Sequence, residues 1–549
     1  MNRLRVADFF CGAGGFSEGF RQMGFDVVFG LDNWQPAIDT HNLNHPCSKS
    51  VKMDILNLSN PDIIDDIVPD TEVIIGSPPC VAFSGSNKAG KAEKGPGIIL
   101  IEAFFRIVAW KLNKPGSILK YWIMENVPNS QHYIKDSYSF EELGLPGGKK
   151  EALKIRVRNI MNAADYGAPQ GRIRFFCGDY PQPRKEHDDN NWIHTSKVLD
   201  CLTDPLKDNN IKQIIDPIYG FKVRRSELKD HFYDTTVEEW EWKRAKRLKE
   251  DHGYMGKMSF PEDLDRPSRT IMATRSGSTR EAMIFGGKKD KNGNWQSYRM
   301  PTIREIASLM SFPLTYQFEA NNESSKYRLV GNAVCVKHSS ALAKSILENE
   351  GLKPPESFIP LEGKPKPTFD LTGMKRKRKK EGPRNPKSKY ARHIPYMKIR
   401  GFRVELDNKK SDFDKDKIRW SATLHQGTGK KPLKCECKND DFLHLISDIN
   451  RFNDFKNDLN KKIEDGLPDA KTLQQIYCNP NGNKDQPNPD DLIYEIKDLI
   501  DEYYPPDEYE DSWVYNDLRA VKIPREKIPL RIMMGQYALN EYVEKINSS

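Results

Sequence analysis

Over residues 1 to about 130, short apolar runs alternate with segments whose apolar residues recur every three or four positions. That alternation predicts βα units, and so an α/β domain with a mainly parallel, doubly wound, Rossmann-like sheet. Residues 3–9, 26–31, 73–76 and 121–125 read as strands, and 16–23 and 98–112 as amphipathic helices covering them. From about 180 to 300 the pattern decays into Pro, Asp, Asn and basic residues with Trp192, Trp240 and Trp242 among them, which predicts a small inserted domain at 181–299. Periodicity returns at 302–310, opened by Pro301-Thr302, and at 337–348, so 300–350 rejoins residues 1–180 in one domain. Residues 351–395, dense in Pro, Gly, Lys and Arg, read as a basic linker. An extra α+β domain at 396–549 follows, with strands near 398–406 and 419–424 and helices at 441–462 and 492–503. No internal repeat is visible.

Composition narrows the class. The 549 residues are 37% hydrophobic and 30% charged, with a mean hydropathy of −0.72, which excludes wholesale disorder and a membrane bundle. The most apolar stretch, 97–110, is broken by Glu102 and Arg106, well short of the roughly 20 apolar residues that span a bilayer. The chain enters its first strand with no secretory succession, so export is not expected and a cytoplasmic, nucleoid-associated place in a prokaryote is. Nine scattered cysteines suit neither a disulfide framework nor a zinc site, Cys435 and Cys437 being too close together, and no metal is expected. The net charge of +8 says less than its distribution: residues 375–380 are an unbroken KRKRKK, fitting a DNA-backbone tether, a nuclear address or a solvated linker.

Chemistry concentrates at predicted strand ends. Residues 8–17, DFFCGAGGFS, lie between a strand and a helix, where glycines permit a tight turn and let amides approach a ligand, or merely permit tight packing. Asp32 ends the next strand, where an acid can accept both ribose hydroxyls, and Asp54 lies beyond the third, where one can meet an adenine amine. Together they describe a nucleoside-bearing cofactor. Pro78 and Pro79 stiffen the approach to Cys80, so its thiol is presented rather than packed as a small hydrophobe. Glu125, in Glu-Asn-Val, supplies an acid at another strand end or is a satisfied surface group, and Arg172 and Arg174 have strand spacing on one face that could equally be solvated.

In order, DFFCGAGGFS, Asp32, Asp54, PPC, ENV, QGRIR, TIREIASLMSFP at 302–313 and Gly331-Asn332-Ala333-Val334 resemble the cytosine carbon-5 DNA methyltransferases that use S-adenosylmethionine. The resemblance covers about residues 1–350. It implies a seven-stranded sheet, a target-recognition domain between the arginine motif and the 302–313 helix, and a cofactor pocket formed by Phe10, Gly12, Gly14, Asp32, Asp54, Ile55, Pro78, Asn332 and Val334. It also implies that Cys80 attacks carbon 6 of a flipped cytosine, that Glu125 serves ring nitrogen 3, and that Arg172 and Arg174 hold the base carbonyl and the acidic residues. Val81 stands where the family usually has glutamine, and Asn33 where it often has a large residue, so adenine packing falls to Ile55 and Phe10.

Double-stranded DNA is the implied partner, met by Ser84, Lys88 and Lys91 of a polar loop and by Thr270, Arg275 and Arg280 of the recognition region. The lysines could instead be a solvated loop face, and basic residues at 240–249 could face phosphate or solvent. With no long region ahead of the first motif, a protective role beside a cognate restriction endonuclease is expected, as a monomer on DNA and without a membrane. Three rivals remain: a tRNA cytosine methyltransferase, a non-catalytic DNA-binding relative, and a methylase fused to a nuclease built on Glu436 and Lys438 with Asp414 or Asp416. For residues 396–549 an accessory DNA-binding role is the favoured expectation.

Overall fold

A computed structural model describes residues 3–549 apart from 81–82, 84–92, 208–210, 253–254, 362–364, 430, 483–484 and 518–519. The chain forms two compact units: Met1–Val237 with Pro261–Gly277 and Glu281–Arg376, and Glu238–Phe260 with Ser278–Arg280 and Lys377–Ser549.

The first unit is built on seven strands: β1 (Arg5–Phe9), β2 (Asp26–Asp32), β3 (Lys49–Lys52), β4 (Val73–Gly76), β5 (Tyr121–Asn126), β6 (Val157–Asn162) and β7 (Ile173–Asp179). Their order is β3-β2-β1-β4-β5-β7-β6, parallel except for β7, which runs antiparallel to both neighbours. The central strands are near-continuous apolar runs because parallel strands are covered on both faces. One layer gathers Phe9, Phe29, Phe104 and Trp122, the other Phe16, Phe20, Ile123 and Phe176.

Helices α1 (Gly15–Gln22), α2 (Gln35–Asn44), α3 (Pro61–Ile67) and α4 (Gly95–Asn113) alternate with the first strands. Two close approaches need glycine. A Cβ at Gly76 would sit 2.5 Å from the Phe104 ring of α4, and one at Gly19 would sit 2.3 Å from Ser339. Beyond α5 (Thr195–Leu202), the region to residue 300 holds only short strands in this unit, such as Ser268–Arg269, which pairs parallel to Gln170–Gly171. Three helices return to the main body: α7 (Ile303–Leu309), α8 (Glu323–Asn332) and α9 (Val336–Asn349). Thr302 and Glu305 cap α7 reciprocally, and Glu305 is also clasped by buried Arg299 at 2.7 Å.

Two domain boundaries differ from the sequence reading. Residues 351–376 are not a linker but part of the first unit: Leu361 and Leu371 are buried, and Phe369 and Leu371 are tied to a buried Lys326–Asp230 pair. Within 181–299, residues 238–260, which hold α6 (Glu239–Glu250), belong to the second unit. The reason is charge pairing at long sequence range. Arg247 bonds Asp490 at 2.8 Å and the His393 carbonyl at 2.9 Å, and His393 donates to Asp251 at 2.8 Å.

The second unit has a four-stranded antiparallel sheet: β8 (Ala391–His393), β9 (Phe402–Asp407), β10 (Ser421–Gln426) and β11 (Leu433–Cys435). Val404, Leu406 and Leu424 join one core with Met533 and Tyr537. The predicted helix at 441–462 is two, α10 (Asn439–Ile446) and α11 (Phe452–Glu464), parted at Arg451, whose φ is 69°. Then come α12 (Ala470–Cys478), α13 (Pro489–Tyr503) and, at the end, α14 (Leu530–Ser548). No helix among the described residues is long and apolar enough to cross a membrane.

Candidate active site

Parallel β1, β4 and β5 end at one edge of the sheet, and antiparallel β7 begins there, so four sequence motifs converge. The loop after β1 carries the glycines, the loop after β4 carries Cys80, β5 ends on Glu125 and Asn126, and β7 opens with Ile173 and Arg174. Asn126 donates to the Pro78 carbonyl at 3.1 Å, and Ser77 donates through its amide to Phe9 O and through its hydroxyl to Phe10 O, each at 3.1 Å. These bonds fix the Pro-Pro-Cys turn against both neighbouring strands.

Glu125 is 7% exposed, and Arg174 Nε stands 2.9 Å from its Oε1. Burial lifts the Glu125 carboxyl above its ordinary range, while the positive charges of Arg174 and Arg172 pull against that. Half-buried Cys80 feels the same field with the opposite consequences. Burial and then the Glu125 charge push its thiol up, and Arg174 and Arg172 oppose them. A thiol held protonated beside a carboxyl poised to keep a proton is an acid and nucleophile pair in one cleft.

Arg172 does not do what strand spacing suggested. It precedes β7, is 3% exposed, and donates to Ile271 O at 3.3 Å, Gly331 O at 3.1 Å and Ala333 O at 3.0 Å. Its guanidinium therefore braces three backbone carbonyls and reaches the site only through its charge. Only Arg174 contacts Glu125.

The cofactor candidates divide in the same way. Asp32 accepts from Gly12 N at 3.0 Å and Trp34 N at 2.9 Å, and burial raises its carboxyl. A Cβ at Gly12 would meet nothing nearer than Phe10 O at 3.8 Å, so this flank of the turn is open. Phe10 is half-buried, with φ 55°. Asp54 is exposed, and one carboxylate oxygen caps the turn at Leu56 N, 3.0 Å. Ile55, expected against adenine, is 2% exposed and belongs to the core.

Gly14 is a packing glycine rather than a ligand contact. Its amide bonds Cys11 O at 2.8 Å, and a Cβ would sit 2.4 Å from the Tyr316 hydroxyl, which donates to Ala13 O at 2.6 Å. Pro78 is buried, with its carbonyl taken by Asn126; Asn332 is exposed at the end of α8, and Val334 is buried. The Val334 carbonyl lies so close to α1 that a Cβ at Gly15 would be 2.2 Å from it. Sequence reasoning missed Trp34, a half-buried ring two residues after Asp32 with the Arg328 guanidinium 4.6 Å from its centroid. Its signal was an aromatic directly after the acid's turn.

Of the DNA-facing expectations, Ser84, Lys88 and Lys91 lie outside the described residues. Thr270 donates to Gly171 O at 3.0 Å, tying the recognition segment to the arginine motif. Arg275 is largely buried, 2.9 Å from Glu323 Oε1, and Arg280 bonds Met258 and the Gly256 carbonyl, so neither is presented as a free base reader. The basic helix α6 is partly structural, since Lys249 and Arg247 are buried. Lys375 and Lys377–Lys380 are exposed. The nuclease triplet is dispersed: Glu436 pairs with Lys410, Asp414 with Lys387 and Asp416 with Lys471, and no group of three metal-ligating residues occurs among the described residues.

A doubly wound α/β enzyme with a nucleoside cradle at its first turn and a thiol beside a buried acid is the class this edge defines. The sequence pattern of the family described as C-5 cytosine-specific DNA methylase matches residues 4–348, and the chain belongs to that family as a methyltransferase. Type II methyltransferase M1.HphI of Haemophilus parahaemolyticus is 26% identical over 364 residues, 63% of this chain and 87% of that protein. Type II methyltransferase M.MthTI of Methanothermobacter thermautotrophicus is 28% identical over 362 residues, 62% of this chain and 97% of that one. The solved structure of the S. pombe Dnmt2 methyltransferase covers 64% of this chain and all of its own at 18% identity, with a TM-score of 0.42.

Proposed function

We propose that the chain methylates cytosine carbon 5 in double-stranded DNA, using S-adenosylmethionine, with Cys80 as nucleophile, Glu125 as acid and base on the ring, and Arg174 as the group that orients Glu125. The observation that carries this reading is the Glu125–Arg174 pair, 2.9 Å apart, at the strand edge that also bears Cys80.

The open flank at Gly12, the Asp32 carboxylate and the half-buried rings of Phe10 and Trp34 fit a nucleoside with vicinal hydroxyls and a planar base. S-adenosylmethionine, when bound there, supplies an electrophilic methyl group. Cytosine carbon 5 is too electron-poor to take it directly. Cys80 therefore adds its sulfur to carbon 6, and its proton must leave as the bond forms because burial favours the thiol. Charge arriving on the ring is met at nitrogen 3 by Glu125, whose raised affinity for a proton suits donation near neutral pH. After transfer, loss of the carbon-5 proton expels Cys80 and restores the ring.

The target base must leave the stack to reach Cys80, at a cost of a few kcal/mol. Residues between the arginine motif and α7 that stay in the first unit serve sequence recognition. The type II relatives support a protective role beside a restriction endonuclease. Bisulfite sequencing of DNA from cells expressing the chain is the test. Protected cytosines in one recurring context, absent with Cys80→Ser, are expected; no protected cytosine would overturn the reading, and protection confined to tRNA would transfer it to RNA.

A further inference from the structure

The second unit presents an aromatic and cationic face that the methyltransferase chemistry does not use. β12 (Trp513–Tyr515) and β13 (Lys527–Pro529) form an antiparallel two-stranded ribbon. Strand alternation buries Val514 and Ile528 at 5% and 1% exposure and leaves Trp513 and Tyr515 on the opposite side, 39% and 64% exposed. The register sets Lys527 directly across from Tyr515 and Pro529 across from Trp513. Exposed Lys522 and Arg525 lie on the connecting loop, and residues 513–527 hold four basic residues against two acidic ones.

That loop is held in shape from within. Asn516, 2% exposed, places its Nδ2 3.2, 3.1 and 2.9 Å from the carbonyls of Val521, Ile523 and Arg525, and its amide bonds Glu526 O at 2.6 Å. The cations are thus carried on an ordered frame beside the rings. Leaving a tryptophan and a tyrosine in water costs burial energy that an unused surface would have no reason to forgo.

The chemistry selects the occupant. Two rings at alternate strand positions stand roughly 7 Å apart, a spacing that suits successive bases splayed from an unpaired strand, whose faces any base can offer. Lysine in register with tyrosine favours a polyanion over an apolar protein surface, because seating the latter would bury the ammonium without a partner. We propose that the Trp513–Tyr515 face is a stacking platform for unpaired DNA, with Lys522, Arg525 and Lys527 on its phosphates. This goes beyond the methyl-transfer reading and does not depend on Cys80.

The test uses the full chain and a fluorescein-labelled twelve-residue oligothymidine, followed by anisotropy over a salt series. Oligothymidine holds no cytosine and binding needs no methyl donor, so the result is independent of whether methyl transfer occurs. The parent is expected to bind, the Trp513→Ala/Tyr515→Ala double variant to bind at least about tenfold more weakly per ring, and Trp513→Phe/Tyr515→Phe to recover most of the loss. Lys527→Gln should lower the slope of log affinity against log salt by about 0.7. Failure of the parent to bind, equal binding by the double alanine variant, or an unchanged slope would each overturn the proposal. So would equal, ring-dependent binding of an adenine–thymine duplex. Should the double alanine variant misfold, the phenylalanine and glutamine variants still decide.

Discussion

Replacing Lys326 with methionine tests whether residues 365–376 are integral to the catalytic unit. Lys326 and Asp230 side chains are both fully buried, with Nζ 2.8 and 3.0 Å from the two carboxylate oxygens and 2.5 Å from Phe369 O. Asp230 in turn accepts from Leu371 N at 3.1 Å. Lys326→Met strands a carboxylate in the interior, a loss of about 3–5 kcal/mol, which is a factor of about 10² to 10³ in the closed-to-open ratio of whatever the pair holds shut. Asp230→Asn strands the ammonium at similar cost, and asparagine tolerates the φ of 59° at this position. The double variant leaves no buried charge, so its loss should fall at least about 2 kcal/mol short of the sum of the singles. Hydrogen exchange of peptides spanning 365–374 reads this locally through the Leu371 amide and the Gly373 amide, which bonds Phe232 O at 2.7 Å. Protection in Lys326→Met within threefold of the parent, or strictly additive losses, would refute the reasoning.

Glu125→Gln should abolish most methyl transfer, by about 10²- to 10⁴-fold, yet make Cys80 more readily alkylated by iodoacetamide at neutral pH, since the charge that raises the thiol is gone while Arg174 and Arg172 remain; alkylation unchanged or shifted to higher pH would contradict the field described at the site. Gly15→Ala must push against the Val334 carbonyl and should cost on the order of 2–3 kcal/mol in urea unfolding. Gly12→Ala, facing open space, should fold at a cost of about 1 kcal/mol but bind S-adenosylmethionine at least about tenfold more weakly by calorimetry; parent-like affinity would place the cofactor elsewhere. Asp8 is fully buried, its Oδ2 accepting from Ser17 at 2.7 Å, and burial pushes its carboxyl up to about 8. A raised acid favours the fold most below its unfolded value near 4, and that contribution is lost as pH rises through about 8. Asp8→Asn should therefore flatten the fall in urea midpoint between pH 5 and pH 8; an equally steep fall in the variant would count against it.

The parts of the site visible in the sequence are those that a local pattern dictates. An apolar run followed by Pro-Pro-Cys or Glu-Asn-Val announces a parallel strand and what lies at its carboxyl edge, and β1, β4 and β5 end where the pattern places them within a residue. What escaped depends on partners distant in sequence. Arg172 and Arg174 look alike by spacing, yet one meets the 271, 331 and 333 carbonyls and the other meets Glu125. Ile55 and Gly14 have ligand-like positions, but the core and Tyr316 claim them. The basic residues at 240–249 read as a surface because nothing nearby in sequence reveals Asp490.

The same long-range pairing decides where the catalytic unit ends. The family match stops at 348, but Arg21 of α1 bonds the Ile359 and Pro360 carbonyls at 2.9 Å, Phe358 stacks on Phe221 with centroids 4.7 Å apart, and Glu319 accepts from Thr368 N at 2.7 Å. A chain cut after 350 would uncover the sites of Leu361 and Leu371 and leave Asp230 and Lys326 without the backbone groups that complete their shell, so lost activity there would report lost folding. A cut after 376 removes the partners of α6, leaving Arg247 without Asp490 and Asp251 without His393. Neither truncation isolates the role of the last third. Exposed side-chain substitutions such as those on the Trp513 ribbon do, because they subtract a surface while every buried charge keeps its partner.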